Sequence, residues 1–154
     1  MSSAVDSILR LHDFRVMKSY FEVNPEAKSF DKTQTHLSLE VSLLQSNEAE
    51  NDMAVQLEVG LNQEDEEFEA SGFTGSIIVT GFFDVSSLRE ERPDDWEPAL
   101  VFNGVTVLFG IVRNSYAELS AASPVGRVIV PTINAAGFIR EDAAEVEAAE
   151  AQTN

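Results

Sequence analysis

The sequence predicts an α+β fold, a four-stranded antiparallel sheet with helices packed on one face. Three observations predict it. Four apolar stretches in the first half of the chain repeat with a period of two, the spacing of half-buried strands. Apolar residues at three- and four-residue spacing begin only after residue 104. Strands first and helices afterwards is the order of a sheet covered on one face, not of alternating βαβ units. With 154 residues, 44% of them hydrophobic, the chain suits one domain with a core of its own.

The first strand is expected near residues 8–22, where Ile8, Arg10, Phe14, Val16, Tyr20, Phe21 and Val23 alternate weakly, so a bend is expected. Asn24–Pro25 breaks it. Residues 36–45 alternate cleanly, with Leu37, Leu39, Val41 and Leu43 on one side and Ser38, Glu40 and Ser42 on the other. After a polar turn the pattern returns in Met53, Val55, Leu57, Val59 and Leu61, which completes a hairpin. Residues 64–69 carry five acids and read as a solvated hairpin tip that guards the sheet edge. A calcium loop would need oxygen ligands at alternating positions and a glycine at its sharp turn, and that pattern is missing. Residues 73–83 form a fourth strand rich in β-branched and aromatic residues, with Gly75 and Gly81 at bulges or close backbone approaches.

Residues 86–102 read as a long polar crossover holding Trp96 and Phe102, and connections of this length are usually functional or mobile. Asn103–Gly104 is expected to cap a helix over 105–122, whose apolar face carries Val105, Leu108, Ile111, Val112, Tyr116 and Leu119. Ser123, Pro124 and Gly126 end it. Residues 128–130 are extended, since Pro131 biases Val130 away from helix. Thr132 or Asn134 caps a last helix, which fades into an acidic stretch with five acids and no base. That stretch has too little apolar surface to pack alone. The expected organisation is one domain over residues 1–140 and a mobile acidic tail over 141–154.

Charge excludes several function classes. The chain has 27 Asp and Glu against 10 Lys and Arg, a formal charge of −17. Nucleic-acid affinity comes mainly from basic side chains that neutralise phosphates, so no nucleic-acid partner is expected. Anionic membrane surfaces are disfavoured for the same reason. No stretch approaches the length of a membrane span, and the first residues lack the basic start and apolar run of a secretory signal. A cytoplasmic location follows as the expectation. With no Cys, disulfides and thiolate zinc sites are absent. His12 and His36 lie beside strand patterns and read as ordinary surface histidines. No nucleophile elbow, phosphate loop or dinucleotide fingerprint is present, so neither a cofactor nor a metal is expected, and the chain is not expected to be an enzyme.

The residues from Phe73 to Phe138 resemble the SecB family of protein-export chaperones. The stretch from Phe73 to Leu88 is similar to that family's fourth strand and the start of its crossover. Val107-Leu108-Phe109-Gly110-Ile111-Val112-Arg113 is similar to its helix opening, and Val130-Pro131-Thr132-Ile133-Asn134 to its turn into the last helix. Upstream, Phe21, Glu22, Pro25 and Phe30 stand where the family has similar residues. There are departures. Gly110 stands where the family usually has Pro, Ala135 where it has an aromatic, and residues 32–36 lack its Trp. The tail also lacks a basic pattern for docking on the motor's zinc domain.

The resemblance implies a homotetramer, a dimer of dimers. It implies ATP-independent holding of unfolded preproteins and their handover to the translocase motor SecA, with Glu22 at a translocase-binding position. Clients would lie in grooves between sheet, crossover and helices, and the residues expected to meet them are Phe82, Phe83, Trp96, Phe102, Leu108, Phe109 and Ile129. About half of these are expected to serve the core or the subunit interface instead. The departures fit equally a SecB-like protein dedicated to one partner, such as an antitoxin.

Overall fold

A computed structural model describes residues 9–45, 50–134 and 137. Four strands, β1 (Arg10–Val23), β2 (Leu37–Gln45), β3 (Asp52–Leu61) and β4 (Phe73–Asp84), form one antiparallel sheet in the order β1-β4-β3-β2. Three helices, α1 (Asp65–Ser71), α2 (Ser86–Glu91) and α3 (Trp96–Ala121), complete the described part.

All four strands form where the period-two reading expects them, but β1 is exposed along most of its length and β4 is buried on both faces. Met53, Val55, Leu57, Val59 and Leu61 of β3 pair in register with Phe83, Gly81, Val79, Ile77 and Gly75 of β4. The apolar side chains of both rows are buried. Helix α3 lies over this face and buries Leu100, Val105, Leu108, Phe109, Val112 and Tyr116 against it. The outer face carries Gln56, Glu58, Thr80 and Phe82.

Close approach of helix to sheet depends on two contacts near one end. The Tyr116 hydroxyl donates to the Val59 carbonyl at 2.6 Å. A side chain at Gly75 would stand 2.7 Å from the Tyr116 ring, so the strand must be bare there, as one expectation for Gly75 had it. At the same end Asn62 is fully buried with φ 48°, in the left-handed region that Asn tolerates better than most residues. Its amide side chain accepts from the His36 backbone N–H at 2.9 Å and donates to the Ser71 hydroxyl at 3.0 Å and the Phe73 carbonyl at 3.3 Å. This one side chain ties β2, α1 and β4 together where the chain turns out of β3.

Three sequence expectations are corrected. The acidic run after β3 is not a bare hairpin tip but helix α1. Glu67 reaches back to accept from the Glu64 backbone N–H at 3.1 Å, and Asp65, Glu66 and Glu67 in the first turn favour the positive end of the helix dipole. Gly72 ends the helix at φ 86°. The crossover is not a long loop either, because α2 occupies its first part and α3 its last part. Helix α3 begins at Trp96 rather than after Asn103–Gly104. Pro98 falls in its first turn, where a missing N–H costs nothing. Gly104 is buried mid-helix close to Val55 of β3, so it serves packing and caps nothing. Residues 128–130 are extended as expected, but they join no sheet. The expected last helix beyond Asn134 and the acidic tail lie outside the described residues, Gly137 alone excepted.

The bend expected in β1 takes the form of two register shifts, between Leu11 and Asp13 and between Val16 and Lys18. β1 is an edge strand, and α3 leaves its middle uncovered. Phe14, Val16 and Met17 stay 45%, 46% and 62% exposed.

Candidate functional site

After α3 the chain doubles back along the helix. Ser123 starts the reversal by donating its hydroxyl to the Ser120 carbonyl at 2.6 Å, and Gly126 completes it at φ 78°. The Ser120 hydroxyl then accepts from the Val128 N–H at 2.7 Å. Arg113 donates its Nε to the Val130 carbonyl at 2.8 Å, and Lys32 its Nζ to the Arg127 carbonyl at 3.3 Å. Val125, Val128 and Val130 turn inward and are buried, while Ile129 between them is 63% exposed. The returning strand-like segment is thus fixed by its alternate residues and its backbone, with one aliphatic side chain left outside.

Between this segment and α3 run two adjoining clefts. The larger, about 380 Å³, is lined by Gly110, Arg113, Asn114, Ala117, Arg127 and Ile129, with Val130. The smaller, about 210 Å³, is lined by Thr106, Phe109, Gly110, Arg113, Thr132 and Ile133. Gly110 and Arg113 belong to both, so the two form one groove. Nothing lies within 4 Å of where a side chain at Gly110 would begin, and the small residues Gly110 and Ala117 keep the helix side low. Such a groove can accept an extended segment with aliphatic side chains laid against its floor.

The seven residues expected to meet clients are dispersed. Ile129 and Phe109 line the groove, though Phe109 is mostly buried. Phe102 is exposed on α3. Trp96 begins α3, half-buried, with the Arg89 guanidinium 4.3 Å from its ring centroid. Phe82 lies on the opposite face of the sheet, where Arg15 stands 5.4 Å over its ring. Phe83 and Leu108 are core residues, since the odd-numbered side of β4 and the sheet-facing side of α3 meet there. Glu22 is exposed on β1, in register with Thr74 on the outer face. Sequence reasoning missed Gly110, Arg113, Ala117 and Arg127. The absence of the family's Pro at Gly110 was the one signal that pointed toward the groove floor.

The titratable groups offer little chemistry. His12 lies 3.4 Å from Asp52, and His36 lies 3.5 Å from Glu67, all as exposed or partly exposed pairs. Hydrogen bonds from the Ser86 hydroxyl and backbone N–H hold the Asp84 carboxyl below its ordinary value. Burial pushes the Tyr116 phenol well above its own. Among the described residues no group of three or more His, Asp and Glu could hold a metal ion. No helix among them is long and apolar enough to cross a membrane.

The known structures place this architecture. A SecB-like chaperone of Mycobacterium tuberculosis, solved in complex with a ChAD peptide from the HigA1 antitoxin, superposes with a TM-score of 0.58. The match covers 82% of this chain and 91% of that one. The fold is SecB-like. Sequence identity is 12%, so the likeness is one of fold. No family model and no curated protein matches the sequence. The groove lies between α3, the helix that covers the sheet, and the segment that returns along it.

Proposed function

We propose that this chain is an ATP-independent holdase that binds unfolded or non-native polypeptides, preproteins among them, and delivers them to the Sec translocase. The observation that carries the reading is the open groove beside α3, with Ile129 exposed on one wall and Gly110 and Ala117 low on the other, in a SecB-like fold. A holdase needs apolar surface that remains accessible and enough net charge to keep its complexes in solution. A charge of −17 supplies the second. Nothing in this activity calls for a catalytic group or a cofactor.

The assembled form is a cytoplasmic homotetramer, a dimer of dimers. One exposed apolar surface supports it, the edge of β1 at Phe14, Val16 and Met17. Within the export pathway SecA is the receiver, and Glu22 on the outer face of the sheet is the contact assigned to it.

A second reading has a specific observation in its favour. The SecB-like neighbour is bound to a peptide from an antitoxin, so a dedicated partner is the rival to generic clients. Light scattering separates the two. A mass near four chains that gains one slowly refolding, unrelated client supports the generic holdase. A tetramer that ignores the client favours the dedicated partner. A stable monomer removes the assembly. In the same assay Trp96→Ser with Phe102→Ser should weaken client binding and leave the mass unchanged; loss of the tetramer instead assigns both residues to assembly.

A further inference from the structure

The groove has a charge pattern opposite to the rest of the chain. Lys32, Arg113 and Arg127 gather around the returning segment, and no carboxylate pairs with any of them among the described residues. Among the described residues Arg113 uses only its Nε, on Val130, and its two terminal nitrogens make no bond there. Arg127 contributes its backbone carbonyl to Lys32 and leaves its side chain in the cleft lining. In a chain with 27 acids, two arginines lining one cleft, with Lys32 close behind the segment and no carboxylate paired to any of the three among the described residues, are an unfilled anion preference. Arginine pairs carboxylates through two parallel hydrogen bonds, stronger than neutral ones and directional.

We infer that the cleft between α3 and residues 127–130 docks an extended partner peptide carrying a carboxylate beside aliphatic side chains. The carboxylate sits at Arg113 and Arg127, and the aliphatic groups lie over Gly110, Ala117 and Ile129. The inference rests on the holdase reading and narrows it, naming which segments of a partner the groove prefers. It follows that basic segments, which the chain's net charge attracts to the surface at large, are turned away from the groove itself.

The test uses the full chain and fluorescein-labelled peptides of Leu and Val interrupted by Glu, with sister peptides carrying Gln or Lys instead, read by fluorescence anisotropy. The Glu peptide should bind roughly ten-fold tighter than the Gln peptide, a difference of about 1.4 kcal/mol. The Lys peptide should be weakest. The advantage of Glu should vanish in Arg127→Gln, whose exposed side chain makes no bond among the described residues, and should shrink with added salt. Equal binding of all three peptides overturns the inference and leaves the apolar groove standing. No binding of any peptide, with the fold intact, overturns the holdase reading and the inference together. The chain's own residues 141–154 carry five acids and are the rival occupant. If preference for the Glu peptide emerges only after those acids are changed to Gln, the groove belongs to that segment and the partner assignment falls.

Discussion

Asn62 shows how much one side chain decides and how little of that is visible in advance. In the sequence it follows Leu61 at the end of the β3 pattern, and nothing there singles it out. In the fold it is fully buried, takes a left-handed backbone and joins three elements through hydrogen bonds. Those partners lie 26, 9 and 11 residues away, so no local pattern could announce them. Asn62→Ala leaves the His36 N–H short of an acceptor and adds backbone strain. It should cost about 2–4 kcal/mol in urea unfolding, since a buried polar group left unpaired loses its full solvation. Gly75 is the contrasting case. A glycine inside a β-branched strand was legible as a place where another group comes close, and Tyr116 is that group. Gly75→Val should destabilise by about 1–3 kcal/mol through overpacking against the ring, with the fold retained. A Gly75→Val protein as stable as the parent would show that the helix can shift at no cost.

Strands were legible because their apolar residues recur with a period of two along the sequence, and each of the four falls within a few residues of its expected place. Helices were less so. The acids of α1 read as solvated charge, since a helix this short has no periodicity to show. The start of α3 was masked by Pro98 and Gly104, residues that usually break helices and here sit where a helix accepts them. Between β4 and α2 the turn depends on Asp84, whose carboxylate accepts from the Ser86 backbone N–H at 3.0 Å and its hydroxyl at 2.7 Å. Because these bonds hold the Asp84 carboxyl below 3.8, folding favours its ionised form. The stabilisation is therefore fully present above 3.8 and is lost as the pH falls through the lower folded value. Asp84→Asn should lower the urea midpoint at neutral pH and flatten its decline on the acid side. An unchanged acid limb would mean that the turn contributes nothing.

At the scale of the molecule the fold class was legible and the groove was not. Fold class depends on the order of strands and helices, which is written along the chain. The groove depends on a reversal after α3 that brings Arg127 and Ile129 back beside Gly110 and Arg113. Exposure of Ile129 between two buried valines is the residue of that reversal, and an apolar triplet in sequence cannot say which member stays outside. Ile129→Ser should leave the unfolding midpoint unchanged and weaken the binding of unfolded segments. A fall in stability with unaltered binding would return Ile129 to a structural role.

The strand order has a consequence for the protein's own birth. Of the four described strands β1 leaves the ribosome first, yet among them it pairs only with β4, the last to be made: Val23 waits for Phe73, and Arg10 for Asp84. β2 and β3 adjoin in sequence and can close as a hairpin in the meantime. At roughly 5–20 residues per second, the first strand spends several seconds with its backbone unpaired. Each new copy is thus for a short time a chain with an unpaired strand, the kind of segment that the proposed holdase activity would bind.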